Sequence, residues 1–252
     1  MGFYDLSKEE RQKLVLKMQK LIKNYLESDQ YEKILNYASD DDFYIRKNTY
    51  LILGRLYGDN KVLNEKILNT AKNLLDDKNE NVRQTAVYTF SEIGKNDAAN
   101  ATKYLEIALN DDHHVVKNAI MGALKQMGQK NPVPTLEFAK KFIHSDNPEI
   151  RRIIIHGIEL RGRTHPQDIL PLLEEMQYEK SKRVRDMVIH VIGQISYKKG
   201  CLETVISSLK KWKNKELVED ALKEIIDVHK RYKFAAKSPE EAEDYIKQEN
   251  VE

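Results

Sequence analysis

Five positions of this chain, Arg83, Lys117, Arg151, Arg185 and Glu219, lie 34 residues apart, and the residues around them match column by column. Arg46 stands 37 residues before Arg83, which predicts a short insertion near the first unit. The residues just before these positions are Ile45, Val82, Val116, Ile150, Val184 and Val218. Three after them come Thr49, Ala86, Ile120, Ile154, Val188 and Leu222, and seven after come Leu53, Phe90, Leu124, Ile158, Ile192 and Ile226. Steps of three and four residues place these columns on one apolar stripe of a helix. A fixed period of this length restricts the chain to a stack of like units, because one unit cannot bury its own stripe and stacked units can.

Glycine and proline are scarce, with 10 and 6 in the chain, and no Asn-Gly or Asp-Gly turn separates alternating strands, so the chain reads as all-α. Each unit is expected to hold a first helix, a short turn and the second helix that carries the columns. First helices are expected over 63–75, 99–109, 134–143 and 168–176. Gly94, Gly128 and Gly162 close three second helices in one register, where a left-handed cap favours glycine. Asp40, Asp77, Asp111, Asp146 and Glu179 sit beside the turns, five or six residues before the basic column. Acid and base in that relation form the ladder that links neighbouring turns in HEAT repeats. The expected fold is a right-handed α-solenoid of about six HEAT-like helical hairpins over residues 1–232.

The ends differ, as capping units should. Ser7 with Glu10 is a capping box that opens an N-terminal capping helix over about 8–28. Ser238-Pro239-Glu240-Glu241 starts another helix, so residues 233–252 are expected to form a short acidic helix or tail, loosely attached through a linker near 230–238.

Composition narrows the function less than the fold. With 42 basic and 40 acidic residues the formal charge is +2, too balanced for a whole-chain nucleic-acid footprint. The one cysteine, Cys201, points to a reducing compartment. No apolar run reaches the length of a membrane span and no signal peptide is visible, so cytoplasmic placement away from membranes is expected. No phosphate-binding glycine loop, nucleophile elbow or paired cysteines are present. No cofactor and no metal are expected, and Trp212 is read as core.

Second helices line the concave side of such a stack, and the positions one, five and eight after the basic column face it. Lys47, Lys125 and Arg152 stand in the earlier units, and Asp186, Asp220, Glu224 and Asp227 in the last two. Arg152 and His156 lie one helical turn apart, as do Asp186 and His190, and Gly122 would leave a notch walled by Tyr88. A pocket of Tyr88, Arg152, His156, Asp186 and His190 is one reading, since His and Asp in reach of each other can move protons. A solvated polar face with ion pairs between repeats is the other.

The stretch Ser145-Asp146-Asn147-Pro148-Glu149-Ile150-Arg151-Arg152, then His156-Gly157 and Ile169-Leu170-Pro171-Leu172-Leu173-Glu174, resembles the DNA alkylation repair family. So do Val184-Arg185, Ile195-Ser196 and Leu209-Lys210-Lys211-Trp212. The resemblance covers roughly residues 100–232. It implies HEAT-like repeats that bind double-stranded, possibly damaged, DNA in a concave groove, and any activity it carries over is that of a DNA glycosylase. It makes Arg152 a phosphate contact, with Lys47, Lys117, Lys125 and Arg185 beside it. The family's catalytic aspartate falls on Lys117 here, which leaves the catalytic residue unknown and points to a branch without glycosylase activity. The other use of such a stack is a protein scaffold, whose acidic end would favour a partner with a basic segment.

Overall fold

The computed structural model describes residues 2–249. Among them there are fourteen α-helices, three short 3-10 helices (Phe3–Asp5, Lys61–Leu63 and Pro166–Asp168) and no strand. The helices are α1 (Lys8–Glu27), α2 (Tyr31–Ala38), α3 (Phe43–Asp59), α4 (Asn64–Leu75), α5 (Glu80–Gly94), α6 (Ala98–Ala108) and α7 (His114–Lys130). They continue as α8 (Pro132–Phe142), α9 (Pro148–Gly162), α10 (Leu170–Glu175), α11 (Lys182–Gln194), α12 (Cys201–Leu209), α13 (Lys215–Arg231) and α14 (Pro239–Gln248). From α2 to α13 they pair as six hairpins, so the repeat read from the sequence is the repeat that folds. The chain divides into two compact units, Met1–Ala123 and Leu124–Glu252, with the division falling inside α7.

In the first unit, α1 packs on α2 and α3 through Met18, Ile22 and Leu26. Its start is the expected capping box, with the Ser7 hydroxyl accepting the Glu10 N–H and the Glu10 carboxylate accepting the Ser7 N–H. The second helices α3 and α5 lie side by side, and Leu53, Ala86, Phe90 and Ile120 of the repeat columns are fully buried. In the second unit α9, α11 and α13 pack in series, burying Leu124, Ile154, Ile158, Val188 and Ile192. On α13 the stripe has rotated: Leu222 and Ile226 are only half-buried, while Leu217, Ala221, Ile225 and Val228 are fully buried. Trp212 is core, 1% exposed, with its indole N–H donated to Ser208.

Two of the four arginines of the basic column, Arg83 and Arg151, build the expected ladder, whereas Arg46 donates to the carbonyls of Asp40 and Asp41 in its own turn and Arg185 pairs with Asp220 and Glu216 of α13. The Arg83 guanidinium donates to the carbonyls of Asp77 and Lys78 in its own turn and, at 2.6 and 3.1 Å, to both carboxylate oxygens of Asp111 in the next. Arg151 repeats this, holding the carbonyls of Ser145 and Asp146 and both oxygens of Glu179 at 2.7 and 2.8 Å. The guanidinium fork suits this double task because it presents five donors in one plane. Arg151 in turn keeps the Glu179 carboxyl below the usual carboxylate range. The last two turns are joined differently: Gln177 Oε1 accepts the N–H groups of Lys213 and Asn214 at 2.8 and 2.9 Å.

Two expectations are corrected. Gly94, Gly128 and Gly162 are not left-handed caps; α5 and α9 run through Gly94 and Gly162, and Gly128 lies inside α7. Among the described residues the glycine with positive φ is Gly200, at 77°. Gly162 is required by close approach instead, since a Cβ there would lie 2.3 Å from Ile169 Cδ1 and 2.8 Å from Ile195 Cγ2. The C-terminal segment is not loosely attached either. Ala242 and Ile246 of α14 are buried against α13, and the preceding stretch is pinned by the Ala236 N–H donating to the Tyr197 carbonyl at 2.8 Å. The end of the expected tail, residues 250–252, lies outside the described residues.

A Gly162→Ala variant should lose about 1–3 kcal/mol to overpacking. Gly58→Ala, with open space around it near the end of α3, should be neutral or gain about 0.4–1 kcal/mol. Urea denaturation of the two variants beside the parent checks both signs.

Candidate functional site

The second helices of the unit Leu124–Glu252 bring one polar cluster together. Its centre is Glu159 on α9, 1% exposed. The His156 ring reaches Glu159 Oε2 from one turn back, with Nε2 at 2.9 Å, and Arg163 just past the helix end reaches Oε1 at 2.5 Å. Helical spacing of three and four residues puts all three on one face. Lys125 adds a third partner, its Nζ 3.2 Å from Glu159 Oε2. Lys125 and Glu159 are the same column in consecutive repeats, so the period itself sets them opposite each other.

The network extends outward. Arg163 donates to Gln194 Oε1 at 2.8 Å, which also accepts the Tyr232 hydroxyl at 2.9 Å. The His190 ring stands edge-on to His156 at 5.9 Å between centroids, and its Nδ1 is 3.6 Å from Glu224 Oε1. Glu224 is held in turn by Arg231 at 2.6 Å.

Burial by itself would push the Glu159 carboxyl up. The His156 hydrogen bond and the charges of Lys125 and Arg163 outweigh it and bring the group down to about 2. Burial pulls Lys125 down from the ordinary lysine range against the pull of Glu159, and it lowers His190 against Glu159 and Glu224.

His156, Glu159 and His190 each offer an atom within 4.8 Å of the others, donor types that suit zinc. The electrostatics do not fit a divalent cation. Glu159 is already shared among His156, Lys125 and Arg163, and a metal would have to displace or face two fixed positive charges. The cluster is an internal ion-pair network with two imidazoles at its edge.

The sequence-predicted site residues are placed as follows. His156 and His190 come together. Arg152 does not join them: Glu149 clamps it with bonds of 3.0 and 2.7 Å, leaving its side chain 11% exposed. Asp186 is turned to Lys182 at 2.6 Å on the helix surface. Arg185 pairs with Asp220 at 2.8 Å and Glu216 at 3.4 Å. Lys47 is exposed on α3 and Lys117 half-buried on α7. Tyr88 belongs to the unit Met1–Ala123, where it stacks on Tyr50 at 4.9 Å. It also fills the notch expected at Gly122, since a Cβ there would lie 3.2 Å from the Tyr88 ring. Glu159 and Arg163, the centre of the network, were not singled out from the sequence. Their signal was available in the spacing of His156, Glu159 and Arg163 and in the alignment of Glu159 with Lys125 one period earlier.

Because the folded Glu159 carboxyl lies below its ordinary 4.5, its contribution to stability is complete above about 4.5 and is lost as pH falls toward about 2. Glu159→Gln, which strands Lys125 and Arg163, should cost about 3–5 kcal/mol near neutral pH. The same variant should remove this group's share of the acid sensitivity. Thermal melts of both proteins across that pH window read both effects.

Comparison with known proteins follows the fold. The structure is similar to AlkD2 from Streptococcus mutans, of the HEAT-like DNA alkylation repair fold, with a TM-score of 0.58 and 19% identity over 85% of this chain and 99% of that one. It is also similar to smu.31 from Streptococcus mutans UA159, with a TM-score of 0.48 and 19% identity over 83% of this chain and 96% of that one. A TOG-domain structure of crescerin, described as regulating microtubules in the primary cilium, matches with a TM-score of 0.50 and 12% identity over 77% of this chain and 88% of that one. At 19% identity the likeness to AlkD2 shows the fold alone. Among curated proteins, none matches. No described helix is long and apolar enough to cross a membrane. The model of the family described as non-SMC mitotic condensation complex subunit 1, Cnd1, matches residues 11–159, more than half of the sequence, and this chain belongs to that family.

Proposed function

We propose that this chain is a non-catalytic HEAT-like interaction module whose second-helix face, in the unit Leu124–Glu252, takes a basic segment of a protein partner. The observation that carries this is an asymmetry in how its charges are held. The cations of this unit expected to meet phosphates are drawn inward: the side chains of Arg152, Arg185 and Lys125 are 11%, 23% and 25% exposed, each in an ion pair. The carboxylates of Asp186 and Asp227 are 51% and 55% exposed, held by surface pairs with Lys182 and Arg231. Exposed pairs are worth about 0–1 kcal/mol and exchange partners cheaply, whereas pulling a clamped arginine off its carboxylate costs more. The face is therefore readier for a partner's lysines and arginines than for a phosphate backbone. Membership in a family named for a subunit of a complex favours work within an assembly. A glycosylase reading lacks support at the reacting position, because Lys117 stands where a carboxylate would be needed beside a cationic base.

Fluorescence anisotropy with a labelled lysine- and arginine-rich peptide and, in parallel, a labelled DNA duplex tests the preference. The peptide should bind, and Asp186→Asn with Asp227→Asn should weaken it about tenfold at low salt. The duplex should bind no more tightly than about 10⁻⁵ M near physiological salt. Duplex affinity better than about 10⁻⁷ M, falling steeply with salt and weakened by Lys47→Ala or Lys117→Ala, would overturn the proposal in favour of DNA binding.

A further inference from the structure

The unit Met1–Ala123 carries a groove of about 430 Å³ along the first half of α1, lined by Phe3, Lys8, Arg11, Gln12, Val15 and Leu16. Steps of three and four residues from Lys8 to Leu16 place one stripe of α1 along it, and Phe3 of the preceding 3-10 helix completes the lining.

The apolar part of the groove is unpartnered. The inward face of α1, Met18, Ile22 and Leu26, is buried against α2 and α3. Leu16 lies on another face, 67% exposed, beside the half-buried Val15. A leucine exposed singly on a convex surface needs no explanation, but one that lines a groove gives a partner's apolar side chain a place to leave water.

The surroundings are cationic. Lys13 and Lys20 stand three residues before and four after Leu16, and Lys8 lines the groove itself. All three are exposed, and among the described residues none of them is in an ion pair. Of the acids of α1, Glu10 is engaged by the cap at Ser7 and Glu27 by Lys23, which leaves Glu9. Arg55 of α3 adds a further cation on this side, its guanidinium donating to Gln19 at 3.4 Å.

Charge and shape together select the occupant. An anionic membrane surface needs a helix whose apolar face is turned outward, and α1 turns its own inward. A single-stranded nucleic acid needs open aromatic faces. Here the Tyr4 ring carries the Arg11 guanidinium at 4.8 Å and meets Tyr44 edge-on at 4.2 Å, while Phe3 stacks on Tyr44 at 5.9 Å. An acidic helix with an apolar stripe uses both features at once.

We infer that this groove binds an amphipathic acidic helix of a protein partner: an apolar side chain seats among Phe3, Val15 and Leu16, and carboxylates face Lys8, Lys13 and Lys20. The preference is opposite to that proposed for the unit Leu124–Glu252, and neither reading depends on the other.

Fluorescence anisotropy on the full chain with a labelled peptide of leucine at helical spacing and glutamate elsewhere tests it. Polyglutamate of the same length and a labelled single-stranded DNA run beside it, with sedimentation of phosphatidylcholine–phosphatidylserine vesicles. The leucine–glutamate peptide should bind at least about tenfold more tightly than polyglutamate, because the groove desolvates apolar side chains as well as attracting charge. Leu16→Ala, and separately Lys13→Ala with Lys20→Ala, change exposed side chains. Each should weaken binding about tenfold at low salt without moving the melting temperature, and salt should blunt only the lysine effect. Asp186→Asn with Asp227→Asn, on the other unit, should leave this peptide's affinity unchanged. Failure of the peptide to bind overturns the inference, as does equal affinity for polyglutamate or affinity that survives both α1 variants. Tighter binding of the DNA or the vesicles also overturns it. Self-association of the chain that Leu16→Ala abolishes would make a second copy the occupant and overturn it too.

Discussion

Each helical hairpin in this chain leaves an apolar stripe on its second helix that its own first helix cannot cover, and the neighbouring hairpin must cover it. Phe90, Leu124, Ile158 and Ile192 are fully buried for that reason. Burial at roughly 25 cal/mol per Å² supplies the drive to stack but sets no register, because apolar contact is non-directional. Register comes from the guanidinium ladders. Arg83 and Arg151 each span their own turn and the acid of the next, and a shift of one residue would break both ends at once. Small numbers of directional bonds thus select among the packings that a large undirected term would allow.

The same periodicity creates the buried network around Glu159. Equivalent positions in consecutive repeats fall side by side, so a lysine at 125 and a glutamate at 159 meet by construction. An isolated glutamate at 1% exposure would be untenable as an anion. With Lys125, Arg163 and His156 around it, the carboxylate is held ionised and the cations are held in place. That mutual commitment gives the network a structural role and leaves little room for a metal or an open acid–base pair.

Charge that is committed inside the protein is unavailable to a partner, and this distinction separates the functional readings. Arg152 and Arg185 look like phosphate ligands when only their residue type and row are considered. Their carboxylate partners make them part of the frame. The exposed acids on α11 and α13 keep their exchangeable surface pairs.

The sequence alone determined the all-α class, the six hairpins, their helix positions to within a few residues and the capping box at Ser7. These follow from local periodicity and hydrogen-bond chemistry that act over three or four residues, or from a period repeated often enough to be read. The pairing of Arg83 and Arg151 with turn acids was also legible, because both recur at fixed offsets, but Arg46 and Arg185 of the same column found other partners. Only the tertiary structure decided which polar residues of one row meet. Glu149 sits three residues before Arg152, yet nothing in the sequence says the clamp would win over the groove, since the choice depends on how deeply α9 is buried. Tyr88 filling the space over Gly122, Ile169 requiring the glycine at 162, and α14 docking on α13 are likewise outcomes of interhelical approach at the scale of tenths of an ångström. Periodicity specifies which face of a helix turns inward; the close-packed distance between helices specifies what that face then touches.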